Sequence, residues 1–291
     1  MDKKSKLVMA SAMTIFGTIG IFRRYIPLES SLVALVRGFI GTVVLLLYVF
    51  IAKKKLSGER IRENFLKLIV SGALIGFNWI FLFEAYEYTT VATATLCYYM
   101  APVIVMLIAP LFLKERLTGK KGICILLAFV GMIFVSGFFS EGIGGGNSLK
   151  GIIFGLIAAL MYAVVILINK RMSDIGSFDK TIMQLGTAAV VLLPYVWATG
   201  GFNNVSMDML CVVMLLIVGV VHTGIAYALY FSSMGELSAN SVAILSYIDP
   251  VVAILLSTFL LKESMDFYKI LGAVLILGAT LWSELSGGKD K

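Results

Sequence analysis

Charge is scarce in this sequence and histidine nearly absent. Only 14% of the 291 residues are charged, and there are one His and three Cys. With His222 alone there is no H-E-x-x-H pair for a catalytic zinc, and no G-x-S-x-G elbow presents a nucleophilic serine. An intramembrane enzyme therefore finds little support. The chain also lacks a G-x-x-x-x-G-K-[ST] phosphate loop. The stretch "GIGGGNSLKG" from Gly142 has no Gly-Lys pair to reach phosphates and reads as a flexible linker, so ATP is not expected to drive the protein directly. Cys97, Cys124 and Cys211 each fall inside an apolar run, which argues against a disulfide framework. No metal and no other cofactor is expected.

What the chain has in abundance is apolar length. Hydrophobic residues make up 59%, and the mean hydropathy is +0.97, too apolar for a soluble domain that must cover itself with polar surface. Apolar runs with short polar breaks predict ten bilayer-spanning helices: Leu7–Phe22, Leu32–Ala52, Leu68–Tyr86, Thr89–Leu113, Gly122–Phe139, Leu149–Asn169, Phe178–Ala198, Met209–Phe231, Ser238–Leu261 and Phe267–Leu285. Runs such as "VVLLLYVFIA" show no period of two, which excludes an outer-membrane barrel. The first run follows Lys3, Lys4 and Lys6 as a secretory signal would, yet it ends in Arg23 and Arg24 instead of a small-residue cleavage site. The fold class expected is an all-α integral membrane protein.

The net charge of +7 does not predict a nucleic-acid partner, because the basic residues sit in breaks between spans and not on one soluble face. They cluster in alternate breaks, before the first span and in Lys53–Lys67, Lys114–Lys121 and Lys170–Lys180. The positive-inside rule then places both termini in the cytoplasm of a multi-pass protein in the cytoplasmic membrane. The lipid bilayer and a small-molecule substrate are the expected partners. The sequence does not fix the oligomeric state, and a monomer is compatible with it.

The chain also repeats itself. "YYMAPVIVMLIAPLFLKER" from Tyr98 lies over "SYIDPVVAILLSTFLLKES" from Ser246, matching Tyr99, Pro102, Lys114 and Glu115 with Tyr247, Pro250, Lys262 and Glu263. The expected organisation is residues 1–140 as a first five-helix repeat, 141–148 as a Gly-rich linker and 149–291 as a second five-helix repeat. Five is odd, so the second copy enters the membrane from the opposite side and the repeat is inverted, a construction common in secondary transporters.

A duplicated segment that runs through a mid-span Pro to an apolar stretch ending in Lys-Glu resembles the EamA-type proteins of the drug/metabolite transporter superfamily. The resemblance covers essentially the whole chain. It implies ten helices as 5+5 inverted repeats around a central cavity, with the fifth and tenth spans at the periphery. It also implies transport of amino acids, other metabolites or organic cations, in a superfamily that includes nucleotide-sugar carriers.

Ionisable and polar groups within spans cost free energy and each needs a partner, a wet cavity or a task. Arg37 and Glu84 sit at similar depth near the outer ends of their spans, where they either form an external gate pair or simply meet headgroups and water. Asn78 and His222 lie mid-span on repeat-related helices, either as interhelical hydrogen-bond partners or as ligands, and a histidine also suits proton exchange. Tyr98, Tyr99 and Tyr247 flank the helix-breaking Pro102 and Pro250 far from either surface, which favours a cavity lining. Asp249 has two readings: a cap for the helix that restarts at Pro250, or a carboxylate that binds a proton or a cationic group. The matching residue in the first repeat is Ala101, so the break itself does not require Asp.

With a carboxylate and no mid-depth Lys or Arg expected to oppose it, the cavity suits a cationic or zwitterionic solute better than a phosphorylated one. The expected function is secondary active transport of an amino acid, amine or organic cation by alternating access, with Asp249 as the leading candidate for handling a proton or cation. The alternative is a channel-like or non-transporting membrane scaffold.

Overall fold

A computed structural model describes residues 2–113, 118–136, 146–172, 174–203, 205, 207–234 and 236–287. The described residues are helical, with no strand among them: α1 (Asp2–Arg24), α2 (Ser30–Ile51), a short α3 (Gly58–Glu63), α4 (Phe65–Tyr88), α5 (Val91–Tyr98), α6 (Ala101–Leu113), α7 (Gly119–Val135), α8 (Gly146–Lys170), α9 (Ser177–Ala198) and α10 (Met209–Ile217). A π-helical segment (Val218–Ile225) then leads into α11 (Ala226–Met234), α12 (Ala239–Ser246), α13 (Ile248–Phe259) and α14 (Phe267–Gly287).

Among the described residues, eight stretches are long and apolar enough to cross a membrane, and Ile244–Phe259 is a shorter apolar helix. The expected fifth and ninth spans are the ones that differ. The described part of the fifth is α7, of 17 residues, and its expected end at Phe139 lies outside the described residues. The ninth is interrupted at Tyr247, between α12 and α13. Lys114, Glu115 and residues 141–145 of the expected linker also lie outside the described residues, and 146–148 already belong to α8.

The fourth span is likewise interrupted, at Tyr99 between α5 and α6, and the two broken spans are built alike, for a chemical reason. Thr90 caps α5 by accepting from the Thr93 N–H at 3.0 Å, and Ser238 caps α12 by accepting from the Ser241 N–H at 3.3 Å. Each capped helix runs for eight residues and stops. A proline four residues on lacks an N–H and crowds the carbonyl one turn back, an interior defect of about 3 kcal/mol unless the helix breaks. Pro102 and Pro250 supply that defect, and α6 and α13 restart around them.

In lipid there is little hydrophobic drive between helices, so association rests on close packing and interhelical hydrogen bonds. Small residues mark the tightest crossings. A Cβ on Gly17 of α1 would meet the Asp249 carbonyl at 2.5 Å, so α1 runs directly against the start of α13. Small residues of α8 face the end of α4 and α5: a Cβ on Gly151 would lie 2.8 Å from Thr89, and one on Gly155 2.7 Å from the Cys97 Cβ. Helices α7 and α14 pack chiefly on each other, with Gly131 and Gly272 back to back. Large apolar side chains such as Phe39, Phe50, Leu111, Trp197 and Phe259 point outward, as a lipid-facing surface requires.

Candidate functional site

The two helix breaks face each other. The Tyr99 hydroxyl, at the end of α5, donates to Asp249 Oδ2 at 2.9 Å and lies 3.4 Å from the Ser246 carbonyl. That carbonyl is the one that Pro250, lacking an N–H, cannot bond. The α13 N-cap position is Tyr247, with no side-chain cap bond, and the partner of the Asp249 carboxylate is Tyr99 instead of a backbone amide. Asp249 still stands in the first turn of α13, where the helix dipole favours a negative charge. Rings surround it: Tyr98 lies 6.5 Å from Tyr99 and 5.4 Å from Tyr162, and Tyr247 lies 6.3 Å from Tyr99. Tyr86, Tyr98, Tyr162 and Tyr227 are all within electrostatic range of Asp249.

His222 and Thr223 sit on the π-helical segment, where one extra residue per turn rotates side chains out of α-helical register. His222 Nε2 is 2.8 Å from the Thr18 hydroxyl of α1, and Nδ1 is 3.3 Å from the Ile217 carbonyl, so both ring nitrogens are engaged. The ring also packs 4.8 Å from Phe22. Thr223 donates to the Val218 carbonyl at 3.0 Å and accepts from Arg37 Nε at 2.9 Å.

The two ends of this interior differ. At one end, Arg24 Nη2 meets Glu263 Oε1 at 2.9 Å and the Thr89 carbonyl at 3.2 Å. Glu263 Oε2 accepts from the Val91 N–H at 2.8 Å and from the Ser257 hydroxyl, and Ser257 accepts from the Ala92 N–H at 3.3 Å. A carboxylate thus sits on the first amides of α5 and ties α1, α5 and α13 together. Lys262 makes the turn by adopting φ 55°, a left-handed conformation uncommon outside glycine. On the other side of the breaks is a cavity of about 520 Å³, lined by Tyr99, Pro102, Tyr230, Tyr247 and Glu284 among others.

The EamA-like transporter family model matches this chain twice, over residues 3–137 and 149–284. The chain belongs to the EamA-like transporter family. It is therefore a membrane transporter of the drug/metabolite transporter superfamily. It is 33% identical over 274 residues to the uncharacterized transporter YxxF of Bacillus subtilis (strain 168), spanning 92% of this chain and 85% of that one. An uncharacterized transporter of Archaeoglobus fulgidus is 27% identical over 283 residues, spanning 93% of each chain. A protein of known crystal structure superposes with a TM-score of 0.67 over the whole of both chains at 17% identity, a likeness of fold alone.

Within this EamA-like transporter, two expectations are corrected. Arg37 and Glu84 form no ion pair among the described residues, and Arg37 does not snorkel to the surface. Arg37 is 5% exposed, held by Thr223 and stacked 4.1 Å over the Trp79 ring. Glu84 instead stands in electrostatic range of Arg23, whose Nη2 bonds Glu87 at 3.1 Å. Arg37 is thus a buried guanidinium that turns toward the π-helical segment. Asn78 does not join the tyrosine cluster either: its Nδ2 donates to the Ala158 carbonyl at 2.6 Å and clasps α4 to α8. Sequence reasoning overlooked Glu284, on a helix read as peripheral, and the Arg24–Glu263 contact. The Lys262-Glu263 pair was visible in the repeat, but nothing local says that α5 begins beside it.

Proposed function

We propose that this protein is a secondary active transporter that moves a small organic metabolite, an amino acid, amine or organic cation, across the cytoplasmic membrane by alternating access, with both termini cytoplasmic. The observation that carries the reading is the Tyr99–Asp249 contact, which joins the breaks of two similarly built spans. One end of that junction is closed by Glu263 and the other leads into the 520 Å³ cavity. A site reachable from one side and sealed from the other is one half-cycle of a carrier. The repeats expected at 1–140 and 149–291, joined through 141–148, supply the two bodies that rock against each other, and the two family matches support that division.

In this cycle Asp249 takes up a proton or the cationic group of the solute, and the surrounding tyrosines cover it with aromatic faces and hydroxyls. No catalytic step is assigned. The test is uptake into proteoliposomes under an imposed pH gradient, with counterflow as the mark of a carrier. Saturable uptake with counterflow is expected, and Asp249→Asn should abolish its dependence on the gradient. Unsaturable flux without counterflow would instead indicate a channel, and gradient dependence intact in Asp249→Asn would remove Asp249 from the mechanism.

A further inference from the structure

Arg37 is a buried cation that the mechanism above leaves unused. It is 5% exposed, and α2, α4 and the π-helical segment enclose it. Its Nε bonds Thr223, and its guanidinium carbon lies 4.1 Å from the Trp79 ring centre and 5.6 Å from that of Phe83. Thr223 has already given its hydrogen to the Val218 carbonyl, so its oxygen is committed as an acceptor and fixes the orientation of the guanidinium.

Nη1 and Nη2 have no hydrogen-bond partner among the described residues. They are not sealed off, because the only fully covered and unpartnered side-chain nitrogens or oxygens among those residues are Arg23 Nε and Thr95 Oγ1. A guanidinium held at one edge, stacked on an aromatic face and open at its Nη atoms presents the planar fork that matches a carboxylate. No carboxylate of this chain fills that role among the described residues. His222, next to Thr223, bonds Thr18 of α1 at 2.8 Å, and the adjacent Gly17 packs against the Asp249 carbonyl, so α1 connects the surroundings of the two charges.

The geometry points to Arg37 as the anchor for a carboxylate of the transported solute, with Thr223 as its positioning residue, which makes the interior a site for zwitterions over simple amines. The inference rests on the carrier reading and adds the second charge of the solute to it.

The test is a matched panel on purified protein, read by thermal shift and by proteoliposome uptake: leucine and phenylalanine, their methyl esters, their decarboxylated amines, and phosphoethanolamine. Wild type should prefer the free amino acids over the esters by at least about tenfold. In Arg37→Gln that ratio should fall to about one, and in Arg37→Lys, which keeps the charge without the fork, it should be intermediate. Thr223→Val should lower the ratio as well, which keeps the proposal testable if Arg37→Gln does not fold. The proposal is overturned if folded Arg37→Gln keeps the wild-type ratio while total uptake falls, since that marks a purely structural arginine. A preference for phosphoethanolamine overturns it too. Uptake of amines and esters as readily as amino acids by wild type overturns Arg37 as carboxylate anchor and leaves the carrier reading standing. Binding of no panel member overturns both.

Discussion

A carboxylate or a guanidinium inside a bilayer costs on the order of 2.5–3.5 kcal/mol on insertion scales. Asp249 and Arg37 do not cancel each other as a pair, and each is satisfied only in part, by Tyr99 and by Thr223. That residual cost is retained for a ligand to offset. Asn78 is the contrasting residue, a buried amide whose Nδ2 is given to holding two helices together. Interhelical bonds of this kind contribute about 0.6 kcal/mol on average in a membrane. Asn78→Ala should therefore lower the melting temperature by a small, measurable amount, with counterflow per folded molecule within about twofold of wild type, a margin smaller than one hydrogen bond to a charged group. A loss of transport without a loss of stability would put Asn78 back among the ligands.

At the level of the helix, the contact between α2 and the π-helical segment holds Thr223 against Arg37, and it depends on glycine. A Cβ on Gly41 would lie 2.4 Å from the Thr223 Cγ2, and one on Gly224 2.3 Å from the Val44 Cγ1. Gly41→Ala should cost about 1–3 kcal/mol by overpacking and reduce uptake by displacing Thr223. Gly278→Ala on α14, where nothing lies within 4 Å, should instead be neutral or stabilising by up to about 1 kcal/mol through helix propensity. Thermal melts of the two variants, with uptake alongside, check the contrast. The paired breaks were legible in the sequence because Tyr and Pro recur in register in both halves. The π-helical segment was not, because one additional residue per turn leaves no mark on an apolar run. Helical periodicity places Arg37 at a depth, but it does not say whether that side chain turns outward to Glu84 or inward to Trp79. Only the packing of α2 against α4 and the π-helical segment decides that.

For the whole molecule, function requires that closing one end be reversible, and the Glu263 contact sets how reversible. Glu263 holds Arg24, the Val91 amide and the Ser257 hydroxyl at once. Hydrogen bonds to a charged group contribute about 1.5–3 kcal/mol each, but Arg24 has 30% of its side chain exposed, so its share is screened and lies at the low end. The bond to the α5 amide is better shielded and carries more of the latch. Glu263→Gln keeps the shape and removes the charge, so the closed end should lose roughly 1.4–2.8 kcal/mol relative to the open one, a tenfold to hundredfold shift in population. Hydrogen exchange at the Val91 and Ala92 amides reads this directly, because their acceptors are Glu263 and Ser257. Exchange there should accelerate by at least about tenfold in Glu263→Gln, while amides at the centre of α8, distant from the latch, keep their wild-type rates. Arg24→Gln should accelerate it by less, since it leaves the α5 cap in place. Equal acceleration in the two variants would mean that the ion pair, and not the helix cap, closes this end. No acceleration in either would mean that the closed end is held by packing of α1 on α5 instead, where a Cβ on Gly20 would lie 2.4 Å from the Val91 Cγ1.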